Sequence, residues 1–262
     1  MRRRIALLIA VLSLAALAVA APAHAQIPWQ PDRADAVYYA KHRNGIIGFA
    51  VRTEHGFWAW NQKRQMPSAS VIKAMILVSY LNRGDVKNRD LDTSSNSYDA
   101  ALKPMITRSD DNATNHVFKK VGFSGLRRLA DRVGMKRFET TDHWGRSRID
   151  ASDQTLFFLH IDGYMPERHR AYGMKLLNSI VQSQRWGIWE VKPPGWKMFE
   201  KSGWGAGTGW VDHQVALLTR GTMRVSVAIL THWDGSHAYG KDSLRGLAKL
   251  LLRGLNEQSV VY

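Results

Sequence analysis

Ser70 and Lys73 are the first residues whose types and spacing suit catalysis. They lie three residues apart in residues 70–83, where the other side chains are almost all apolar. In a helix, two side chains at this spacing share one face. A lysine in apolar surroundings is destabilised as an ammonium ion, so its pKa falls and it can act as a base. The pair predicts an activated serine nucleophile; the alternative is a capping serine beside a lysine that reaches solvent.

Two later motifs add polar groups of the same kind. Ser109, Asp110 and Asp111 precede a helical pattern, where the ordinary interpretation is an N-cap serine followed by acidic first-turn residues. Residues 201–204, Lys-Ser-Gly-Trp, lie in a strand pattern that leads into a glycine-rich turn. The ordinary interpretation there is an exposed strand end. A phosphate-binding loop is excluded because no Walker pattern is present and no helix follows.

The hydrophobic pattern predicts the elements that position these motifs. Two strand patterns precede a long helical segment and three follow it, at residues 45–53, 57–63, 197–203, 209–219 and 223–233. Helical signals fill residues 68–185, and residues 242–255 form an amphipathic helix. Because the strands at either end are too few for separate sheets, we expect an α+β fold. It would have one five-stranded antiparallel sheet flanked by helices and an inserted all-α lobe.

Together the three motifs resemble the S-x-x-K, S-D-N and K-T-G motifs of class A β-lactamases and penicillin-binding proteins. They stand in the same order here, at residues 70–73, 109–111 and 201–203, and Asn115 follows the second motif as in that family. The similarity spans about residues 45–255. It implies the β-lactamase/transpeptidase-like fold and a serine hydrolase that works through an acyl-enzyme.

The resemblance implies a role for each matching residue. Ser70 would be the nucleophile and Lys73 its proton acceptor, while Ser109 would pass the proton to the leaving nitrogen. Lys201 and Ser202, from the other side of a cleft, would hold a substrate carboxylate by charge-assisted hydrogen bonds.

The third motif also contributes backbone groups in this resemblance. Gly203 completes the motif, and the backbone N–H groups of Ser70 and Trp204 would form the oxyanion hole. Ser202 stands where many relatives have threonine and keeps the hydroxyl. We expect no metal ion and no other cofactor, because the sequence has no cysteine and its histidines lack metal-ligand spacing.

Asp111 departs from the family pattern, which has asparagine at this position. An ionised aspartate only accepts hydrogen bonds, whereas asparagine also donates. Asp111 is therefore expected to pair with Lys73 and raise its pKa, and it cannot donate to the acylamino carbonyl of a penicillin. Asn112 is not a replacement, because one helical step rotates it about 100° away.

The deacylating glutamate of class A β-lactamases has no counterpart. The matching stretch, residues 137–153, carries one glutamate, Glu139, and Asp142 is the other candidate replacement base. The ordinary interpretation of both is a carboxylate on a surface loop. Without a positioned base, an acyl-enzyme should form and persist, as it does in penicillin-binding proteins.

The N-terminus and the charge indicate where such an enzyme works. Residues 1–25 have three arginines, an apolar run and Ala-His-Ala, which predicts a signal peptide cleaved between Ala25 and Gln26; the alternative is a retained anchor. The protein is expected to be secreted or periplasmic, with no later transmembrane segment. The formal charge of +15 favours anionic envelope polymers as partners of an exported protein rather than nucleic acid. The absence of cysteine excludes a disulfide scaffold and a cysteine nucleophile.

Three functions remain open on the sequence alone. The first is hydrolysis of β-lactams or related amides and esters through an acyl-enzyme. The second is a D-Ala-D-Ala peptidase that acts on peptidoglycan-derived peptides and binds penicillin. The third is a catalytically idle domain that binds envelope material. The expected division is residues 26–66 plus 187–262 as an α/β lobe and residues 67–186 as an all-α lobe, with the substrate between them.

Overall fold

The structure, a computed structural model, describes residues 29–255. The proposed signal peptide and its cleavage site lie outside this part of the chain. Within it, no helix combines the length and the apolar character that crossing a bilayer requires.

A five-stranded antiparallel sheet lies at the centre of the fold, as the strand patterns predicted. The strands of the described chain are Ile46–Arg52 (β1), Phe57–Trp60 (β2), Met66–Pro67 (β3), Arg148–Ile149 (β4), Lys197–Gly205 (β5), Val211–Arg220 (β6) and Met223–His232 (β7). The large sheet has the order β2-β1-β7-β6-β5, and β3 pairs with β4 separately. Because β1 pairs with β7, the two ends of the chain meet inside one sheet.

Helices cover both faces of this sheet. Those of the described chain are Arg33–Lys41 (α1), Ile72–Leu81 (α2), Leu102–Thr107 (α3), Asp111–Val133 (α4), Ala151–Leu159 (α5), Glu167–Asn178 (α6) and His237–Leu251 (α7). α2–α6 are inserted between β2 and β5 in the sequence, as expected. The last helix begins earlier than predicted, because the Ser236 hydroxyl accepts the N–H of Tyr239 and caps it there.

A separate hydrophobic core lies on each face of the sheet. One lies between the sheet and α2–α6 and includes Val215, Leu217 and Leu230. The other lies between the sheet and α1 with α7 and includes Ala216 and Leu218. Since side chains alternate along a strand, neighbouring residues of β5 point to different cores. This alternation decides which members of the third motif face the helical segment.

The division into lobes remains our proposal. The strands of the large sheet come from residues 46–60 and 197–232, and the helical segment between them packs on one sheet face through α5. This arrangement supports a discontinuous α/β lobe, residues 26–66 plus 187–262, with residues 67–186 as the all-α lobe.

Candidate active site

Ser70 lies in a single turn of 3₁₀-helix, Ala69–Val71, directly before α2. The predicted helix therefore starts with a tighter turn, and Ala69 has a left-handed backbone with φ of 42°. Such a conformation costs a non-glycine residue about 1–2 kcal/mol. The turn leaves Ser70 partly exposed, whereas Lys73 is fully buried one turn later.

Lys73 is held by the segment that precedes α4. Its Nζ donates to the Ser109 carbonyl oxygen at 2.6 Å, to Ser109 Oγ at 3.2 Å and to Asp111 Oδ1 at 2.6 Å. These bonds use all three protons of an ammonium group. Burial lowers the pKa of Lys73, and the hydrogen bond and charge of Asp111 oppose this without cancelling it. The pairing with Asp111 is as predicted, but burial rather than Asp111 sets the direction of the pKa shift.

Ser109 reaches Lys73 because another residue caps α4. Asp110 is the N-cap, and its Oδ1 accepts the N–H of Ala113 at 2.8 Å. The interpretation of Ser109 as the N-cap is therefore wrong. Ser109 has a left-handed backbone with φ of 57°, which presents both its hydroxyl and its carbonyl to the lysine.

Trp144 forms a wall beside Lys73 that the sequence did not indicate. The Lys73 Nζ lies 5.0 Å from the centroid of its indole ring, within cation–π range. The indole N–H donates to Asn115 Oδ1 at 2.8 Å. Trp144 belongs to residues 137–153, the stretch in which the sequence offers Glu139 and Asp142 as candidate bases. In the structure, an aromatic ring from this stretch lies against the Lys73 amine. No periodic signal marks this residue, because its position depends on the path of a loop.

Gly203 brings β5 against the turn that carries Ser70. A Cβ atom at this position would lie 2.7 Å from the backbone nitrogen of Ser70, 2.8 Å from that of Val71 and 3.0 Å from the carbonyl oxygen of Ser68. No side chain fits at such distances. Glycine is therefore required if the edge strand is to lie beside Ser70.

Lys201 lies on the same side of β5 and is fully buried. Burial lowers its pKa; the charge of Glu200 opposes this, and the nearby charges of Lys73 and Asp111 act on it as well. Its Nζ donates to the Ser202 carbonyl oxygen at 2.9 Å. The third motif is thus within electrostatic reach of the first two, although Lys201 makes no hydrogen bond to Ser109 in the described chain.

The hydroxyl of Ser202 points away from this site. It donates to the Glu200 carboxylate at 3.0 Å and accepts from Gln214 Nε2 at 3.2 Å, and the residue is fully buried. The expectation that Ser202 holds a substrate carboxylate through its hydroxyl does not match this arrangement. The reason is strand alternation, since the neighbour of Lys201 must face the other core.

An open cleft of about 460 Å³ lies above these groups, within the usual range for small-molecule sites. Its lining includes Ser70, Asp111, Asp142, Trp144, Trp204 and Thr208. Asp142 is at the rim, with a side chain 72% exposed and paired to Arg146 at 3.0 Å. Glu139 does not line the cleft; it is exposed and forms a backbone bridge with Arg148.

A pair of buried acids lies behind the Trp204 wall. The Trp204 ring stacks on His237 at 5.7 Å, and His237 Nδ1 lies 2.6 Å from Asp212 Oδ1. Asp212 also shares a hydrogen bond with Asp234, which accepts from the Thr231 hydroxyl at 2.7 Å. Burial and the charge of Asp234 raise the pKa of Asp212 to about 9, so Asp212 keeps its proton at neutral pH.

Residues 96–255, more than half of the chain, match the model of the beta-lactamase enzyme family. The chain belongs to this family. The matched range contains Ser109, Asp111 and residues 201–204 but begins after Ser70 and Lys73. Membership of this family supports a serine hydrolase related to the β-lactamases. No curated protein matches the chain significantly.

Solved structures of the family share the fold at low sequence identity. The β-lactamase from Sphaerobacter thermophilus DSM 20745 is 17% identical with a TM-score of 0.73, over 85% of this chain and 96% of that one. PBP-A is 16% identical with a TM-score of 0.72, over 87% and 96%. The chromosome-encoded β-lactamase of Vibrio parahaemolyticus is 17% identical with a TM-score of 0.73, over 87% and 100%. The β-lactamase-like fold is thereby confirmed.

Proposed function

We propose that the protein is an exported serine hydrolase that forms an acyl-enzyme at Ser70 on β-lactams or related amides and esters. The observation that carries the proposal is the position of the buried Lys73 amine. It is bonded to Ser109 Oγ at 3.2 Å and lies one turn below Ser70, which opens into the cleft. Burial of an amine that takes no part in catalysis would lower the stability of the fold without a functional gain.

In the acylation step, Ser70 Oγ attacks the carbonyl carbon while its proton passes to Lys73. Ser109, bonded to that amine, then delivers a proton to the leaving nitrogen. The backbone N–H groups of Ser70 and Trp204 are assigned to the oxyanion, where one lost donor typically costs about 10²–10³ in rate. Lys73 must first release one of the three protons that it donates to Ser109 and Asp111, because only the neutral amine has a lone pair that can accept the Ser70 proton.

The third motif supplies charge and shape in this scheme. Lys201 would attract the carboxylate of a substrate by electrostatics, while Gly203 would keep β5 close enough for the oxyanion donors. Ser202 acts here through its backbone, because its hydroxyl is bonded to Glu200 and Gln214.

Deacylation is proposed to be slow. The carboxylates that line the cleft are Asp111, which is paired with Lys73, and Asp142, which is paired with Arg146. Trp144 offers an indole ring rather than a base beside the amine. No carboxylate of the described chain is thus both free and close to Ser70 within the cleft, so an attacking water would lack a carboxylate base such as the class A β-lactamases use.

The test is the intact mass of the purified protein after brief exposure to a penicillin. We expect one covalent adduct that persists for minutes or longer and is absent in Ser70→Ala. Ser79→Ala, on the other side of α2, is the matched control and should react normally. Rapid turnover of a chromogenic cephalosporin without an adduct would contradict slow deacylation. Absence of both adduct and turnover, also on esters and peptides, would instead favour an idle binding domain.

A D-Ala-D-Ala peptidase is the second candidate, and the lack of a free carboxylate near Ser70 favours it. Such an enzyme has no need to release β-lactams quickly. Release of D-alanine from a stem pentapeptide, abolished in Ser70→Ala, would identify this activity. Export itself is tested by the N-terminal sequence of the mature protein, which we expect to begin at Gln26.

A further inference from the structure

A second cavity, of about 440 Å³, lies where the C-terminal ends of α2 and α4 meet, and it shares no lining residue with the cleft. Its lining includes four cationic side chains, and none of the described residues that line it is acidic: Arg83, Lys87, Arg128 and Arg132. Arg83 and Lys87 lie in the turn after α2, where the Lys87 N–H donates to the Arg83 carbonyl oxygen at 2.9 Å. Arg128 and Arg132 are one turn apart on α4 and share a face. Two pairs of like charges therefore meet at one cavity.

The protein leaves most of this charge without a partner. Asp85 pairs with Arg83 Nη2 at 2.9 Å, but its side chain is 62% exposed, so solvent screens the pair. The side chains of Lys87 and Arg128 have no hydrogen bond and no ion pair among residues 29–255. Gly125 gives Arg128 its room, since a Cβ atom there would lie 3.9 Å from the Arg128 Nη2. Two free cations thus face the cavity.

The other two cations are held in fixed positions. Arg132 Nη1 donates to Asn82 Oδ1 at 2.9 Å, and its Nη2 donates to the Tyr164 carbonyl oxygen. Arg83 Nη1 donates to the Lys120 carbonyl oxygen. The Nε of Arg83 is buried and has no hydrogen-bond partner in the part of the chain that the structure describes, which is unfavourable for a buried donor. The cavity therefore combines two anchored guanidinium groups with two free cations.

Stabilisation of helix ends does not account for this arrangement. Arg132 lies in the last turn of α4, where a cation interacts favourably with the helix dipole. That effect fades within one turn, so it explains neither Arg128 nor Lys87. Like charges one turn apart repel each other, and a bound anion would offset this repulsion.

We propose that this cavity, the α2–α4 basic cavity (Arg83, Lys87, Arg128 and Arg132), binds a multiply charged phosphate group, either in a soluble ester or in a lipid headgroup. A phosphate monoester carries a charge of about −1.5 to −2 and three strong acceptor oxygens, so it accepts from donors on several sides. A carboxylate offers two oxygens in one plane. Cations that come from two different elements therefore suit the phosphate better.

The basic cavity is independent of the proposed function. Lys73 and Asp111 lie at the N-terminal ends of α2 and α4, whereas the cavity lies at the C-terminal ends of the same helices. A phosphate ligand can therefore be bound while Ser70 reacts.

The experiment is isothermal titration calorimetry of the full-length mature protein in about 150 mM salt, where weak surface attraction is screened. The probes are sodium tripolyphosphate, citrate as a carboxylate of similar charge, and vesicles of phosphatidylglycerol compared with phosphatidylcholine. The cavity variant is Lys87→Gln with Arg128→Gln, whose side chains make no bond that folding would lose. The matched control is Lys119→Gln with Arg127→Gln, which removes the same charge from exposed positions of α4 outside the cavity.

We expect tripolyphosphate to bind at one saturable site, at least tenfold more weakly in the cavity variant and nearly unchanged in the control. The same dependence with phosphatidylglycerol vesicles would identify a lipid headgroup as the source, and dependence with tripolyphosphate alone a soluble phosphate. No saturable binding of tripolyphosphate, equal losses in the two variants, or citrate binding as tight as tripolyphosphate would overturn the inference. Penicillin acylation should be unchanged in the cavity variant, so failure of the proposed function would leave this test intact.

Discussion

The Lys73 amine is subject to two opposing influences. Burial favours its neutral form, while the Asp111 carboxylate at 2.6 Å favours the ammonium ion. The Asp111 side chain is 70% exposed, so water and salt screen its charge. Burial therefore prevails, and the amine loses its proton more easily than an ordinary lysine.

Asp111→Asn should speed acylation. The change removes the charge that stabilises the ammonium ion, so the pKa of Lys73 falls further and more of the amine is neutral near pH 7. We expect the rate of penicillin acylation at pH 7 to rise severalfold, because a larger fraction of the amine can then accept the Ser70 proton. The pH at which the acylation rate rises should shift downward, as measured by stopped-flow acylation.

The matched control is Asp131→Asn, an exposed residue of the same helix, which should leave the pH profile unchanged. An Asp111→Asn protein with a slower rate and an unshifted profile would show that Asp111 is needed for a different purpose, such as positioning Lys73.

At the scale of elements, β5 lies against the Ser70 turn so closely that only glycine fits at position 203. Gly203→Ala places a methyl group 2.7 Å from the backbone nitrogen of Ser70. Overpacking of this kind typically costs about 1–3 kcal/mol. We expect a lower Tm and an acylation rate reduced at least 100-fold.

Gly207→Ala is the control for that change, because a Cβ atom at Gly207 meets nothing within 4 Å. Gly207 lies in the turn that follows β5, and the Gly207→Ala protein should keep both its Tm and its acylation rate. Gly203→Ala with normal acylation would contradict the assigned geometry.

The junction of β6, β7 and α7 should make stability depend on pH. Asp212 keeps its proton up to about pH 9 in the folded protein, whereas an unfolded aspartate ionises near about pH 4. Folding therefore binds a proton between these values, and the free energy of unfolding falls as pH rises through this window. The charge of Asp234 raises the pKa of Asp212, and the charge of Lys241 lowers it. His237, whose Nδ1 lies 2.6 Å from Asp212 Oδ1, is affected by the same two charges.

Asp212→Asn should flatten this dependence, since an amide donates to Asp234 as the protonated carboxyl does. We expect the loss of Tm between pH 5 and pH 8.5 to be several degrees smaller in this variant, at roughly 2–4 °C per kcal/mol. Thermal unfolding over that range measures it, with Asp131→Asn as the reference. Parallel curves for variant and parent would show that the acid pair is not linked to folding in this way.

The sequence predicted the elements with strong periodicity and missed those that depend on tertiary contacts. The five strands of the sheet follow alternation and are confirmed, whereas β3 and β4 are two residues each and pair only through the fold. The position of Trp144 is set by contacts such as the Ser68 hydroxyl on its carbonyl oxygen, which no pattern encodes. The direction of Ser202 was available in advance, because adjacent strand residues face opposite sides.

For the whole molecule, the formal charge, +15 for the full sequence and +12 without the three arginines of the proposed signal peptide, should govern association with large anions. We expect the affinity for an anionic envelope polymer to fall more than tenfold between about 50 and 300 mM salt, because screening acts over about 10 Å at 0.1 M. Acylation by a small neutral ester should change little over the same range. A salt-independent affinity would show that the charge does not contribute to binding.

The order of the strands along the chain has a consequence for biosynthesis. Ser70 and Lys73 are made early, but the strand that lies beside them is contributed by residues 197–205. A nascent or truncated polypeptide that ends before this strand carries every group of the first two motifs and still has no enclosed cleft. On the proposed mechanism, acyl transfer would begin only when the carboxy-terminal third has been translated and has docked, which would keep the serine inert during synthesis.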